Sequence, residues 1–523
     1  MRKTKIRVID LFAGPGGLGE GLAAFSPDAR THPYDVVLSI EKDPHAHATL
    51  MLRKFFRAFP EGKAPDLYYE HLAGNLSREQ LYDAYPEQAA AASQRAWHAE
   101  LGTGGVSHRE VDGRIRTALS DSDYWILVGG PPCQAYSLAG RSRNKGVAGY
   151  RPEGDQRHFL YKEYLRTLAR WWPPVFLMEN VKGLLSSSVA GEQIIRRILT
   201  DLQDPLTAVR GGPSRRRTSQ LYDLVPLTPR SHDLLGHRAP QDFIVRCEDH
   251  GVPQSRHRLL ILGIRRDLCW DPQAVSLAKR DVVPASAVLR GLPRLRSGIS
   301  KGADSGAAWL KLLASSLSSD WIKQCATTAG EDVRGKIVSS VEQMRLPRAD
   351  RGGEFVKYVA RCRSNSDWFV DERLPGVLNH SSRGHRADDL HRYLFASSFA
   401  EVRGRSPLLA DFPAALVPRH SNVAKALAGN WFADRFRVQL WSRPSTTVVS
   451  HISKDGHYYI HPDPTQCRSL TVREAARLQT FPDNYLFSGP RTSQYIQVGN
   501  AVPPLLAAQA AEVVYEILKQ GLP

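Results

Sequence analysis

The sequence predicts an α/β protein built on a Rossmann-like, mostly parallel sheet, together with a separate second domain. In the first half of the chain short buried strands alternate with helices, which is the pattern of a parallel sheet. The first strand leads into a glycine-rich turn, and a region without sustained periodicity, at about 270–440, interrupts the alternation. With 523 residues, of which 42% are hydrophobic and 24% charged, the chain has the composition of a folded protein of two to four domains. This composition excludes wholesale disorder.

Local patterns predict the individual elements. Apolar and β-branched runs predict strands at 6–11, 35–40, 125–128, 175–178, 243–247 and 259–264, and a short β-like stretch at 457–461. Helices are predicted at 44–59, 192–202, 472–479 and 504–519, the first of them started by Asp43 and Pro44 as cap and first-turn residue. Residues 60–120 and 209–240 are predicted to be inserts. The chain therefore divides into a first domain at 1–269, a second at 270–440, and a C-terminal part at 441–523 that returns to the first domain.

The chain is basic, and its positive charge is unevenly distributed. It has 70 Lys and Arg against 53 Asp and Glu, which gives a net charge of +17. Residues 271–443 contain 27 basic and 17 acidic residues, so about a third of the chain holds +10 of this excess. A basic block indicates a surface for a polyanion such as nucleic acid, with ordinary solvated charge as the alternative.

Cysteine spacing and hydropathy exclude several classes of protein. The six cysteines include no C-x-x-C pair, so we expect neither a metal site nor a disulfide framework. We therefore expect the protein in the reducing cytoplasm. Apolar runs such as 259–264 are far shorter than the roughly 20 residues that cross a bilayer. Asp10 and the glycines after it interrupt the N-terminal apolar stretch. We therefore expect neither a membrane span nor a signal peptide.

A cofactor-binding turn is predicted directly after the first strand. Gly14, Gly16 and Gly19 satisfy G-x-G-x-x-G between a strand and a helix, where backbone N–H groups can approach a nucleotide-like cofactor. Glu41 ends the second strand, where such folds hold ribose hydroxyls. An ordinary surface acid is the alternative for Glu41, and the glycine turn upstream favours ribose binding.

Reactive side chains follow other strands of the predicted sheet. Cys133 and Glu179 come after the third and fourth predicted strands, and the carboxyl ends of parallel strands meet at the edge where ligands bind. If the last two strands form an antiparallel pair, Arg256 and Arg258 in their connection reach the same edge. Nearby arginine favours the thiolate that a nucleophilic Cys133 requires. Cys247 and Cys269, by contrast, are expected to be inert buried cysteines.

Six motifs resemble those of DNA cytosine-5 methyltransferases of the bacterial restriction-modification type. In chain order they lie at 10–17 (DLFAGPGG), 130–134 (GPPCQ), 179–181 (ENV), 254–258 (QSRHR), 468–482 and 497–504 (QVGNAVPP). The resemblance implies a class I S-adenosylmethionine-dependent methyltransferase sheet, with 270–440 as a separate target-recognition domain. It also implies methyl transfer to C5 of a cytosine that is flipped out of a specific double-stranded DNA sequence.

The resemblance further implies roles for single residues. The Cys133 thiolate would add to C6 of the cytosine, Glu179 would hydrogen-bond N3 and the exocyclic amine, and Arg258 would hold O2. Arg256 would support the loop or the thiolate. The residues implied to bind S-adenosylmethionine are Phe12, Ala13, Gly14, Gly16, Gly17, Gly19, Glu41, Asn75, Asn500 and Val502. Among these, Phe12 would lie against the adenine, and Asn75 would replace the aspartate that often accepts from the adenine amine.

Three alternative interpretations remain. A nicotinamide dehydrogenase would share the glycine turn and the acid after the second strand, but it would not explain the cysteine and arginine motifs. An inactive DNA-binding module would explain the charge but not the intact nucleophile. A transfer-RNA cytosine methyltransferase would share the methyltransferase fold. The Pro-Cys-Gln sequence of the nucleophile motif and the basic block disfavour this interpretation.

The expected partners are double-stranded DNA and a cognate restriction endonuclease encoded nearby, for a monomeric enzyme associated with the nucleoid. Sequence specificity is expected within 270–440, and the alternative is the insert at 209–240. Candidate base-reading residues are Arg361, Arg363, Arg383 and Arg386. For each of them a phosphate contact or a plain surface charge is an open alternative.

Overall fold

The structure is a computed structural model that describes residues 5–102, 104–120, 122–132, 160–189, 192–209, 221–228, 239–272, 275–418 and 434–521. Cys133 and most of the predicted insert 209–240 lie outside the described residues.

The described chain contains sixteen strands. They are β1 (Ile6–Leu11), β2 (Tyr34–Glu41), β3 (Ala96–His98), β4 (Trp125–Gly129), β5 (Val175–Val181), β6 (Ser188–Val189), β7 (Glu192–Gln193), β8 (Tyr222–Val225), β9 (Ile244–Arg246), β10 (Gln254–Ser255), β11 (His257–Arg265), β12 (Gly298–Ile299), β13 (Gly352–Lys357), β14 (Gly376–Ser381), β15 (Gly384–His385) and β16 (Ser445–Thr446). Eight of them form the central sheet in the order β3-β2-β1-β4-β5-β11-β8, with β9 also paired to β11. Strands β1 to β5 are parallel, and β11 is antiparallel to its neighbours. The predicted Rossmann-like fold is confirmed.

Eighteen helices accompany these strands in the described chain. They are α1 (Gly17–Ala24), α2 (Pro44–Arg57), α3 (Asp66–Leu72), α4 (Arg78–Ala84), α5 (Pro86–Arg95), α6 (His108–Leu119), α7 (Leu160–Trp171), α8 (Ile194–Gln203), α9 (Pro205–Ala208), α10 (Ala285–Leu289), α11 (Gly306–Ala314), α12 (Asp320–Thr328), α13 (Glu331–Gln343), α14 (Ser366–Phe369), α15 (Ala387–Arg403), α16 (Val472–Leu478), α17 (Arg491–Asn500) and α18 (Pro504–Gly521).

Two hydrophobic cores cover the two faces of the central sheet. One contains α1 and α18, and the other contains α6, α7 and α8. Val8 and Ile9, which are neighbours in β1, are buried in opposite cores, because side chains alternate along a strand. Strands buried on both faces form nearly continuous apolar runs, which is why the sequence reveals them.

Residues 60–120 are not wholly an insert, contrary to the prediction. Helices α3 to α5 do form an extra layer against α2. However, β3 is the edge strand of the central sheet, and α6 packs in one of its cores. Because β3 has only three residues and follows an Ala- and Gln-rich helix, no strand pattern marks it. The four-residue β8 is likewise a sheet strand within the predicted insert 209–240.

The second domain has its own hydrophobic core. Helices α11, α12, α13 and α15 supply most of it, with Trp309 fully buried. The core continues past the predicted boundary at 440, since Ile460 and Cys467 are buried in it. The predicted β-like stretch at 457–461 is a 3₁₀ turn at His457–Tyr459, followed by isolated bridges at Ile460.

The C-terminal part packs against β1 and α1. A Cβ on Gly17 would lie 2.3 Å from the Val502 carbonyl oxygen, and one on Gly21 would lie 2.3 Å from that of Pro504. These glycines therefore allow close packing between the first and last motifs. By length and composition one stretch, Arg491–Gln520, would suffice to cross a membrane, contrary to the expectation of none. Its most apolar window is 78% buried, as in a core helix.

A buried ion-pair network joins α1 to α2. The Glu20 carboxylate accepts from Arg53 at 2.8 and 2.5 Å and from Arg57 at 2.6 Å. Burial raises the pKa of Glu20, but the two arginines outweigh it and lower the pKa to about 2. Arg53 also donates to Asn484, so the network reaches the C-terminal part.

Glu20→Gln is expected to destabilise the protein by roughly 3–5 kcal/mol, because it leaves buried guanidinium groups without their counter-charge. Since the pKa is lowered, this stabilisation is present above about pH 4.5 and is lost as the pH falls towards 2. Urea unfolding at pH 7 measures the effect. Glu331→Gln removes an exposed pair with Arg334 and serves as the control, with little change in stability expected because solvent screens exposed ion pairs. Equal stability of the two variants would show that the buried Glu20 network does not stabilise the fold.

Candidate active site

The turn after β1 is closely packed on one side and open on the other. Gly14 and Gly16 have φ of +58° and +99°, in the left-handed region that favours glycine. A Cβ on Gly16 would lie 2.8 Å from Leu50, whereas one on Gly14 would meet nothing within 4 Å. Phe12, which is half-buried, has φ of +58°, an uncommon conformation for a bulky residue. The turn therefore has room for a ligand beside Gly14.

Glu41 is fixed against this turn. Its Oε2 accepts from the Gly14 N–H at 2.8 Å, and its Oε1 accepts from the Asp43 N–H at 2.7 Å. Burial raises the pKa of Glu41, and these backbone donors oppose the shift. Each carboxylate oxygen keeps a further lone pair that can accept from a ligand hydroxyl.

Asn75 does not lie at a strand end, which corrects the prediction for the adenine amine. It occupies the exposed turn between α3 and α4, and its amide donates to Glu70 at 2.7 Å. The acid that follows β3 is Glu100, which pairs with Lys42 at 3.0 Å. Because β3 lies beside β2, Glu100 stands at the sheet edge next to Glu41. Sequence reasoning misses Glu100 because it misses the three-residue strand before it.

Glu179 and Arg258 form a buried pair where β5 meets β11. Arg258 Nε lies 2.9 Å from Glu179 Oε1, and the two side chains are 9% and 11% exposed respectively. Burial raises the pKa of Glu179, with Arg258 and Arg256 lowering it in part. The pair thus combines a readily protonated carboxyl group with a guanidinium group.

The loop that leads to Cys133 is held beside this pair. A Cβ on Gly130 would lie 3.0 Å from Glu179 Oε2, so a larger residue at 130 would have to displace the Glu179 carboxylate slightly. The Asn180 amide donates to the Pro131 carbonyl oxygen at 3.3 Å. Cys133 itself lies outside the described residues.

Arg256 is bound to backbone carbonyl groups of the C-terminal part, while the thiolate and loop of its predicted role lie outside the described residues. Its side chain is fully buried and donates to the carbonyl oxygens of Val448, Gly499 and Ala501 at 2.7, 3.1 and 2.8 Å. Arg256 therefore positions the backbone on both sides of Asn500. Asn500 itself is exposed at the end of α17.

Comparison with known proteins identifies the family. A family model for C-5 cytosine-specific DNA methylases matches residues 92–204 and 242–516. The chain belongs to this family. It is 30% identical to the type II methyltransferase M.Bpa9945I of Bacillus paralicheniformis, over 98% of this chain and 99% of the relative. It is 26% identical to M.AgeI of Thalassovita gelatinovora, over 97% and 99% of the two chains. The DNA (cytosine-5-)-methyltransferase M.ApeKI of Aeropyrum pernix is also 26% identical, over 77% and 83%.

The protein is therefore a DNA cytosine-5 methyltransferase with the predicted class I fold. Among its predicted base-reading arginines, Arg361, Arg363 and Arg386 are exposed. Arg383 is instead engaged within the protein, since it donates to the Ile452 carbonyl oxygen and lies 4.0 Å from the ring centre of Tyr495. Arg383 therefore holds the second domain against α17.

This methyltransferase also contains a buried carboxyl group in its first motif. Neither oxygen of Asp10 has a hydrogen-bond partner among the described residues. Burial raises the pKa of Asp10 to about 7, and the nearby Lys54 opposes the shift. A charged residue inside the apolar strand IRVIDL is the sequence signal that marks it. The group lies beneath the glycine turn, with Oδ2 3.3 Å from the position of a Cβ on Gly19.

Proposed function

We propose that this enzyme transfers the methyl group of S-adenosylmethionine to C5 of cytosine in a specific double-stranded DNA sequence, through a covalent bond between Cys133 and C6. The observation that carries the proposal is the buried Glu179–Arg258 pair beside the loop that leads to Cys133. The type II methyltransferases among its relatives support a role in restriction-modification, with an endonuclease of the same specificity as partner.

The residues around the glycine turn fit S-adenosylmethionine. The open side of Gly14 leaves room for a ligand, and the fixed carboxylate of Glu41 can accept from ribose hydroxyls. Phe12 offers an aromatic face to the adenine, and Glu100 can accept from the adenine amine. When bound, S-adenosylmethionine supplies an electrophilic methyl group. Asn500 is exposed at the end of α17, and in this proposal it contacts the cofactor from the C-terminal motif.

The chain's own residues activate the cytosine ring, which must first leave the stacked duplex. The Cys133 thiolate bonds to C6, and the electron pair of the C5–C6 double bond becomes available at C5. Protonated Glu179 donates to N3 and accepts from the exocyclic amine, while Arg258 donates to O2. These contacts offset negative charge that develops on the ring. After C5 is methylated, loss of the C5 proton re-forms the double bond and expels the Cys133 thiolate.

Methyl transfer by the purified protein tests the proposal. Unmethylated genomic DNA and total transfer RNA are incubated separately with labelled S-adenosylmethionine, and the nucleosides are identified by mass spectrometry. We expect 5-methylcytosine in the DNA alone. Label in transfer RNA alone would favour the alternative substrate, and no 5-methylcytosine in either would overturn the proposal.

Glu41→Ala is expected to weaken S-adenosylmethionine binding by roughly 1.5–3 kcal/mol, the range for charge-assisted hydrogen bonds. Isothermal titration calorimetry measures the change. Asn75→Ala is the matched control, because Asn75 lies on an exposed turn between helices. Unchanged affinity in Glu41→Ala would remove Glu41 from the cofactor site.

Sequence specificity is expected to move with the second domain. The catalytic residues contact one flipped cytosine and carry no information about its neighbours, whereas the basic block has donors for both phosphates and guanine edges. A graft of 270–467, extended from 440 to keep Ile460 and Cys467 with their core, should transfer the methylation pattern to a related catalytic domain. Bisulfite sequencing reads the pattern. A chimera that keeps its host's pattern would place recognition elsewhere, with 209–240 as the next region to graft.

A further inference from the structure

The segment 357–363, here called the basic loop, combines positive charge with exposed apolar side chains. It begins with Lys357, the last residue of β13, and reads KYVARCR, and no acidic residue occurs between Glu354 and Asp367. Tyr358 and Val359 are 41% and 77% exposed, which makes Val359 the most exposed large apolar residue in the described chain. Apolar side chains flanked by cations are typical of protein segments that enter a groove of DNA.

The backbone of the basic loop is anchored, although its tip is exposed. The Arg361 N–H donates to Gly291 at 3.1 Å, and the Arg361 carbonyl oxygen accepts from Arg477 at 2.8 Å. The Arg363 N–H donates to Ala287 at 2.9 Å. A Cβ on Gly291 would lie 1.9 Å from the Arg361 carbonyl oxygen, so the contact requires glycine. A backbone fixed in this way loses little conformational freedom on binding.

The cations of the basic loop are available to a ligand. Lys357, Arg361 and Arg363 make no side-chain hydrogen bond or ion pair within the described part of the chain, and neither does Arg290. Arg363 and Arg290 line a cavity of about 470 Å³, in which Arg290 lies 4.8 Å from the ring centre of Trp441.

The acidic residues that line this cavity are already paired with other cations. Glu474 pairs with Arg468 at 2.7 Å, Glu401 with Lys336 at 2.8 Å, and Asp463 with Arg294 at 3.6 Å. The uncompensated charge of this surface is therefore positive, which suits the phosphates of a nucleic acid.

The surface is close enough to the active site to contact the same duplex. Ser445 in β16 pairs with Gln254 in β10. Trp441 lies four residues before Ser445, and Arg258 lies four residues after Gln254. Eight residues at no more than about 3.6 Å each and one strand spacing of about 5 Å put the Cα of Trp441 within about 34 Å of the Cα of Arg258. That distance corresponds to about ten base pairs at 3.4 Å each.

We infer that the basic loop contacts the DNA duplex beside the target cytosine, with Lys357, Arg361 and Arg363 on phosphates and the Tyr358–Val359 tip in a groove. The inference rests on the proposed function in requiring a double-stranded DNA substrate. A protein partner is the other class of ligand for such a surface, and the lack of uncompensated acidic groups here favours DNA.

The salt dependence of DNA binding tests the inferred phosphate contacts of Arg361 and Arg363. Affinities of the wild type and of the double variant Arg361→Ala/Arg363→Ala are measured by fluorescence anisotropy between 50 and 200 mM salt, on a duplex carrying the site mapped by bisulfite sequencing. Loss of two phosphate contacts should reduce the slope of log affinity against log salt by about 1.8. Lys323→Ala/Arg334→Ala removes two exposed cations from α12 and α13 and should keep the wild-type slope. Unchanged S-adenosylmethionine affinity reports an intact fold in both double variants.

Photo-crosslinking tests the apolar tip. p-Benzoylphenylalanine at position 359 should crosslink to nucleotides within roughly one helical turn, about 10 base pairs, of the target. The same group at position 282, where Val282 is 57% exposed, should not crosslink. Equal yields at the two positions, or a double variant with the wild-type salt slope, would overturn the inference and leave the proposed function standing. A wild type that binds no duplex would overturn both.

Discussion

Cys133→Ser is expected to abolish methyl transfer while S-adenosylmethionine affinity stays close to that of the wild type. A serine hydroxyl is barely ionised near neutral pH, so it cannot supply the nucleophile for C6. Glu41 and the glycine turn, which are proposed to bind the cofactor, follow other strands of the sheet. Transfer of labelled methyl groups to DNA and calorimetric cofactor binding measure the two effects separately.

A duplex with 5-fluorocytosine at the target position sharpens this test. Fluorine at C5 cannot leave as a proton does, so the bond between Cys133 and C6 should persist after methylation. We expect an adduct that survives denaturing gel electrophoresis with the wild type and none with Cys133→Ser. Cys247→Ser is the control, because Cys247 is fully buried and burial raises the pKa of its thiol to about 12. Adduct formation by Cys133→Ser would assign the nucleophile to another residue.

Glu179→Gln is expected to lower the rate of methyl transfer by roughly 10²–10⁴-fold, the range for positioned acid–base groups. Glutamine keeps the size of the side chain but cannot titrate or supply a carboxylic proton to N3. Single-turnover kinetics with saturating cofactor measures the rate, and cofactor affinity should hardly change. Glu163→Gln, a change of the same kind at a carboxylate that pairs with His108, should keep the wild-type rate.

The pH dependence gives Glu179 a second readout. Burial raises its pKa, so the protonated form that donates to N3 is lost as the pH rises through that raised value. The wild-type rate should therefore fall on the alkaline side, and this fall should be missing in Glu179→Gln. A collapse of cofactor affinity with normal turnover at saturation would instead place Glu179 in the cofactor site.

The parts of the fold and site that the sequence predicts are those with a strong local pattern. Strands β1, β2, β4, β5 and β11 are buried on both faces, so their apolar runs are visible without a structure. β3 and β8 have three and four residues, which are too few to show any periodicity. Because β3 is not predicted, Glu100 after it is not recognised as a residue at a strand end.

Side-chain direction is the second limit of prediction from sequence. Arg256 and Arg258 stand two residues apart in one motif, yet Arg258 pairs with Glu179 while Arg256 points into the protein and binds three carbonyl oxygens of the C-terminal part. Val448, Gly499 and Ala501 are about 190 to 245 residues away in sequence. Because these carbonyl groups approach Arg256 only in the folded chain, the sequence alone does not reveal that Arg256 binds them.

Bisulfite sequencing can show whether the protein methylates cytosine at C5 in one DNA sequence and whether this depends on Cys133. Host DNA is compared from cells that express the wild type, cells that express Cys133→Ser, and cells without the protein. We expect cytosines protected from conversion in one short sequence context, with the wild type alone. Protection that persists with Cys133→Ser, or no protected cytosine with the wild type, would contradict it.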